Sequence, residues 1–192
     1  MQRSILFLFL WFLSNALWAQ LTPSAQIIEK GISLFDEGKY NEAIELFKLV
    51  NENDSNYTYT VAEMGLCYLQ LEKYDSAIYY VDKGLVEPSS SRSHLLGTKG
   101  TAYDYLGQTE KAIEIYKEAI GLFPYKYLLH YNLGVTYLKN NDFINAVACF
   151  QEAIRCNPFH ASSHFNIQRV YSRQAFPVNV QVTLKNQFTN FF

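Results

Sequence analysis

Residues 95–124 read LLGTKGTAYDYLGQTEKAIEIYKEAIGLFP. Leu96, Gly100 and Tyr103 fall at helical spacing, as do Ile113, Tyr116 and Ile120 after the break at Leu106-Gly107-Gln108. The stretch therefore predicts two amphipathic helices joined by a tight turn and stopped by Pro124. Its neighbours repeat it. Gly31, Gly65, Gly100 and Gly134 recur at a near-constant interval, the middle one longer by a single position. Three residues after each glycine stands Leu34, Tyr68, Tyr103 or Tyr137; twelve after it stands Ala43, Ala77, Ala112 or Ala146. Phe47, Val81, Tyr116 and Phe150 follow four residues after those alanines, and Val50, Gly84, Ala119 and Ala153 three after that. Pro88, Pro124 and Pro158 close three of the four units. Self-similarity at this period marks a stacked array of helical hairpins.

The recurring small residues are packing devices. Gly134 and Ala146 are expected to face each other where the two helices cross, with Tyr137 and Phe150 filling the space beside them and Ala153 leaving room for the next helix. A leucine at any of the three small positions would overpack the pair, costing roughly 1–3 kcal/mol. Gly38, Gly107 and Asn141 occupy equivalent turn positions, where a left-handed residue ends the first helix; Glu72 departs from that pattern at a small cost.

A hairpin repeat of this period carrying L-G-x-x-Y, then Ala, Phe or Tyr, Ala and Pro, resembles the tetratricopeptide repeat, closely so in residues 95–124 and 130–158. The resemblance implies an all-α fold, a right-handed solenoid of hairpins with units at 24–57, 58–92, 93–126 and 127–160. A partial fifth unit, 161–174, puts Gln168 where the glycine would stand. The function implied is binding of a protein or peptide in the trough lined by the first helices. Carried over position by position, the groove residues are Tyr59 and Leu69, then Asp104 and Tyr105, then Leu128, Tyr131, Asn132 and Lys139, and Arg169 from the fifth helix. Ala62, Leu66 and Gln70, His94, Gly97 and Thr101, Val135 and Leu138, and Phe165, Asn166 and Arg173 lie at or beside equivalent places. The clamp some members use for chaperone C-termini is not implied, because Ile28 and Ile32 stand where it needs Lys and Asn, and Asn132 alone matches.

Both ends of the chain differ from the array. Arg3, the apolar run Ile5 to Leu13 and the small-residue exit to Ala19 read as a secretory signal peptide, 1–19, too short for a membrane span. The chain is accordingly expected to be exported, periplasmic or secreted, with membrane contact only through that leader. After Gln174 the helical pattern stops, and Val178, Val180, Val182 and Leu184 alternate as in a strand. Three readings of the tail, 175–192, stay open: a segment out of register, a cap on the last helix, or a strand added to a partner's sheet.

No chemistry-bearing constellation competes with binding. Net charge is −2 and the basic residues are scattered, which excludes a nucleic-acid surface. Cys67, Cys149 and Cys156 read as small buried apolar residues rather than a disulfide framework. Cys156, His160 and His164 have four-residue spacing, but Pro158 interrupts them, and His164 matches a core-facing position, so no metal site is inferred. The sequence holds no nucleophile elbow and no phosphate loop, so neither cofactor, small-molecule substrate nor catalysis is expected. The resulting reading is a non-catalytic adaptor in a cell-envelope assembly. The alternatives are a repeat-bearing fragment of a larger enzyme or transport machine, and a self-assembling subunit.

Overall fold

The computed structural model describes residues 23–86 and 88–172. The described residues form α-helices and turns in two compact units. The first holds α1 (Pro23–Asp36), α2 (Tyr40–Phe47), α3 (Tyr57–Gln70) and α4 (Tyr74–Gly84). The second holds α5 (Arg92–Tyr105), α6 (Thr109–Leu122), α7 (Tyr127–Lys139), α8 (Phe143–Cys156) and α9 (Ala161–Ser172). Within each unit consecutive helices pack on one another, and first helices also touch across the intervening second helix: α1 meets α3, and α5 meets α7. This is the all-α hairpin solenoid that the periodicity implies. Three helices start one residue before the unit boundaries read from the sequence, α1 at Pro23, α3 at Tyr57 and α5 at Arg92.

The four hairpin turns share one mechanism. Gly38, Glu72, Gly107 and Asn141 all have positive φ, at 76°, 57°, 71° and 60°. In each, the following amide reaches back over the turn, as from Lys39 to the Leu34 carbonyl at 2.8 Å and from Gln108 to Tyr103 at 2.9 Å. These bonds satisfy the last helical carbonyls. Glu72 takes the same left-handed conformation despite its Cβ, which costs roughly 1–2 kcal/mol.

The helix crossings are tighter than the sequence implies, and for a different reason. The neighbour of Gly134 is the Phe150 ring, 2.7 Å from where a Cβ would stand, with the Ala146 carbonyl oxygen farther off at 3.2 Å. Phe150 thus lies on the glycine rather than beside the crossing. A Cβ at Gly31 would meet the Phe47 ring, and one at Gly100 would stand 2.7 Å from the Tyr116 ring, in the same way. Phe47, Tyr116 and Phe150 are at most 1% exposed, so the missing Cβ is what admits each ring.

Leu138, Ala146, Val147, Phe150 and Val170 join α7, α8 and α9 in one core, while Ala43, Ile44, Phe47, Met64 and Cys67 form a core in the first unit. Cys67 is buried, whereas Cys149 and Cys156 are only half-buried, against the expectation for all three. His164 is exposed rather than core-facing, its Nε2 bonded to the Pro158 carbonyl at 2.9 Å. The exposed residues of α9 are Ser162, His164, Gln168, Arg169 and Ser172 together with Ala161 and Phe165, the latter 62% exposed. Among the described residues no helix is long and apolar enough to cross a membrane. The leader segment 1–19, Arg173 and the tail 175–192 lie outside the described residues.

Candidate functional site

In the second unit, α5, α7 and α9 are the first helices of successive repeats, and their exposed faces line a groove. Between α5 and α7 lies a cavity of about 210 Å³, lined by Thr101, Asp104, Tyr105, Tyr131, Asn132, Val135, Lys139 and, from α6, Tyr116. Beyond Tyr131 a shallower recess of about 360 Å³ continues along α9, lined by Ala161, Ser162, Phe165 and Asn166. Tyr131 borders both.

The floor is a directed hydrogen-bond chain. Thr101 Oγ1 donates to the Gly97 carbonyl at 2.9 Å, because a carbonyl can only accept. Its single proton spent, Thr101 accepts from the Tyr116 hydroxyl at 2.9 Å. Asn132 lines the same cavity beside Tyr116. Burial holds the Tyr116 phenol well above the ordinary tyrosine range. Asn132 brings a side-chain amide, donor and acceptor both, to the cavity wall.

One wall is an ion pair. Lys139 Nζ bonds Asp104 Oδ2 at 2.5 Å, and the same ammonium stands 4.5 Å from the centre of the Tyr105 ring. The Asp104 side chain keeps only 8% of its surface, while that of Lys139 keeps 49%. The carboxylate is therefore largely desolvated and depends on its partner, whereas the ammonium remains available to a ligand. Tyr105 is 57% exposed and presents an open aromatic face. Opposite it, Tyr131 packs on Phe150 at 5.8 Å and edge-on against His160 at 4.8 Å, which fixes its ring. His160 also stacks near Tyr127 at 4.8 Å and bonds Ser163 Oγ at 2.8 Å; burial, then the charge of His164, lowers its pKa.

The structure brings five of the nine sequence-derived residues together: Asp104, Tyr105, Tyr131, Asn132 and Lys139. Leu128, 51% exposed, and Arg169, also exposed, line neither cavity. Tyr59 and Leu69 belong to the first unit, the former exposed and the latter half-buried. Of the adjoining positions, Ala62 is 0% exposed and Leu138 is 8% exposed within the core, so both leave the groove. Val135 lines the cavity and also packs on the core. Sequence reasoning missed Tyr116, Ala161 and Ser162. A signal for Tyr116 did exist. It stands where the other repeats carry Phe47, Val81 and Phe150, and a buried phenol needs a partner that those residues do not.

The model of the tetratricopeptide repeat matches residues 93–126 and again residues 127–160. The chain is a tetratricopeptide-repeat protein. Tetratricopeptide repeat protein 6 of Homo sapiens is 25% identical over 132 residues, covering 68% of this chain and 25% of the relative. The Hsp70-Hsp90 organising protein of Plasmodium falciparum is 32% identical over 124 residues, covering 63% of this chain and 18% of the relative. The chain thus spans a quarter or less of these relatives' lengths. A crystal structure of MamA superposes with TM-score 0.63 at 21% identity, covering 83% of this chain and 90% of that one. The second tetratricopeptide domain of human RPAP3, solved with an HSP70 peptide, superposes with TM-score 0.53 at 24% identity, covering 59% of this chain and 93% of that one. With its tetratricopeptide repeats and these relatives, the chain is a protein-interaction module.

Proposed function

We propose that the second unit binds a peptide segment of another protein in the groove along α5, α7 and α9, without catalysis, and that the chain serves as an adaptor in an assembly of the cell envelope. The observation that carries the binding site is the cavity walled by Tyr105 and Tyr131, with the Thr101–Tyr116 hydrogen bond and Asn132 beneath them. Its rings supply apolar contact area, and the Asn132 amide and the half-exposed Lys139 supply fixed polar contacts. A peptide backbone laid between the rings finds donors and acceptors already oriented, so little ordering is needed on binding. Because Lys139 neutralises Asp104, the cavity between α5 and α7 carries no net charge from this pair. The RPAP3 domain bound to an HSP70 peptide offers a precedent for peptide capture on a related fold. Export rests on the leader-like residues 1–19, and the envelope role rests on export.

Site-specific crosslinking tests the site. Benzoylphenylalanine replacing Tyr105 in the full chain should give one dominant crosslinked partner in cells. The same probe replacing Tyr79, an exposed tyrosine of the first unit, should not capture it. Equal capture from both positions, or none from Tyr105, would remove the groove from the function. Detection of the chain in the cytoplasm alone, with the segment Met1 to Ala19 retained, would remove the envelope role.

A further inference from the structure

Two loops of the second unit display aromatic residues in the same way. Tyr125 follows Pro124 between α6 and α7, Phe159 follows Pro158 between α8 and α9, and they are 78% and 93% exposed. Single exposed apolar side chains are ordinary. Here, however, the loops that carry them are pinned. His130 Nε2 bonds the Pro124 carbonyl at 2.8 Å, and His164 Nε2 bonds the Pro158 carbonyl at 2.9 Å. The two histidines, the two prolines and the two aromatics are each separated by one full repeat, so one device is used twice. The Phe159 amide donates to Asn157 Oδ1 at 3.2 Å, and Cys156 Sγ reaches the Pro124 carbonyl at 3.6 Å, tying one loop to the other. Both tips are therefore held on one edge before anything binds them.

The surroundings say what they meet. Leu122 and Leu128 flank Tyr125 and are 52% and 51% exposed. Lys126 follows Tyr125 and is exposed, and Arg155, likewise exposed, stands in the last turn of α8. Glu152, one turn back along α8, pairs with Arg155. At the opposite ends of these hairpins the turns are polar: Gly107-Gln108, and Asn140-Asn141-Asp142. Neither cavity of this unit reaches Tyr125 or Phe159, so the tips stand outside the peptide groove. Protruding aromatic tips with basic neighbours match a lipid interface instead, where rings enter the headgroup level and cations meet lipid phosphates.

We propose that this edge docks on the surface of an anionic bilayer, with Tyr125 and Phe159 entering the headgroup–acyl boundary and Lys126 and Arg155 facing the phosphates. Neither tip lines the groove along α5, α7 and α9, which leaves it open to a protein.

The test reads position 159 itself, because the apolar run Ile5 to Leu13 can bring the full chain to vesicles independently. Both native tryptophans are replaced (W11F, W18F), and F159W is added as the sole reporter. Vesicles of equal parts phosphatidylethanolamine and phosphatidylglycerol, with brominated acyl chains, should shift its emission to the blue and quench it. A parallel N140W reporter on the polar edge should stay unshifted and unquenched. Adding K126E should weaken the quenching at position 159 and make what remains less sensitive to added salt. Vesicle-bound chain with an unquenched F159W reporter would overturn the proposal, as would equal quenching at positions 140 and 159. A blue shift without vesicles that grows with protein concentration would reassign the edge to contact between copies and overturn it too.

Discussion

Gly100→Ala adds one methyl group at the point where packing and the groove meet. A Cβ there stands 2.7, 2.8 and 3.0 Å from three atoms of the Tyr116 ring. The ring cannot swing aside cheaply, being 1% exposed with its hydroxyl held by Thr101. Overpacking of this kind costs roughly 1–3 kcal/mol. Against it, replacing glycine by alanine inside a helix returns about 0.8–1.0 kcal/mol. The net result is a loss of up to about 2 kcal/mol. Gly121→Ala in α6 is the control, since its Cβ meets nothing within 4 Å. It keeps the propensity gain alone, so the gap between the variants isolates the overpacking cost. Urea unfolding of each full-length variant, followed by far-UV circular dichroism, measures that gap. Adding Tyr116→Leu to Gly100→Ala should make the second substitution less costly than it is in the parent, because the ring it collides with is gone. A Gly100→Ala chain as stable as the Gly121→Ala chain would refute the reasoning that missing Cβ atoms admit the rings.

Lys139→Met should destabilise the chain by roughly 1–3 kcal/mol by leaving the desolvated Asp104 unpaired, and adding Asp104→Asn should recover most of it in the same urea assay. Glu72→Gly relieves a left-handed residue and should stabilise the first unit by about 1 kcal/mol, read as slower amide exchange in α3 and α4. His160 has a lowered pKa, so the unfolded chain binds its proton more readily than the folded one. Its contribution is therefore complete above the ordinary histidine pKa and is lost as pH falls through the folded value. His160→Gln should remove that component of the acid sensitivity, seen as a flatter stability profile below about pH 6.5.

The architecture was legible because each repeat reports it independently. Gly100 and Tyr116, like Gly134 and Phe150, recur at fixed offsets, and only a hairpin brings such residues together. The turns were equally readable in Gly38, Gly107 and Asn141, whose side chains favour the left-handed conformation, while Glu72 adopts it under the constraint of its neighbours. Which partner fills the space above a glycine was less legible, since Ala146 and Phe150 both lie within reach and only packing decides. The groove was readable as a set of positions but not as a set of contacts. Ala62 and Leu138 share groove positions with Tyr131 and Asp104, yet neighbouring helices cover them. Tyr116 belongs to a second helix and enters the site only because its hydroxyl passes beneath Thr101. The Asp104–Lys139 pair joins two repeats and depends on how they stack, which no single repeat encodes.

The central claim is that the groove of the second unit selects a protein partner, and affinity capture from an envelope extract tests it most directly. The parent chain and a Tyr105→Ala/Tyr131→Ala variant are compared, the variant first shown to be folded by its circular dichroism and urea transition. One saturable partner retained by the parent and lost by the folded variant is the predicted result; the same partners on both chains would contradict it.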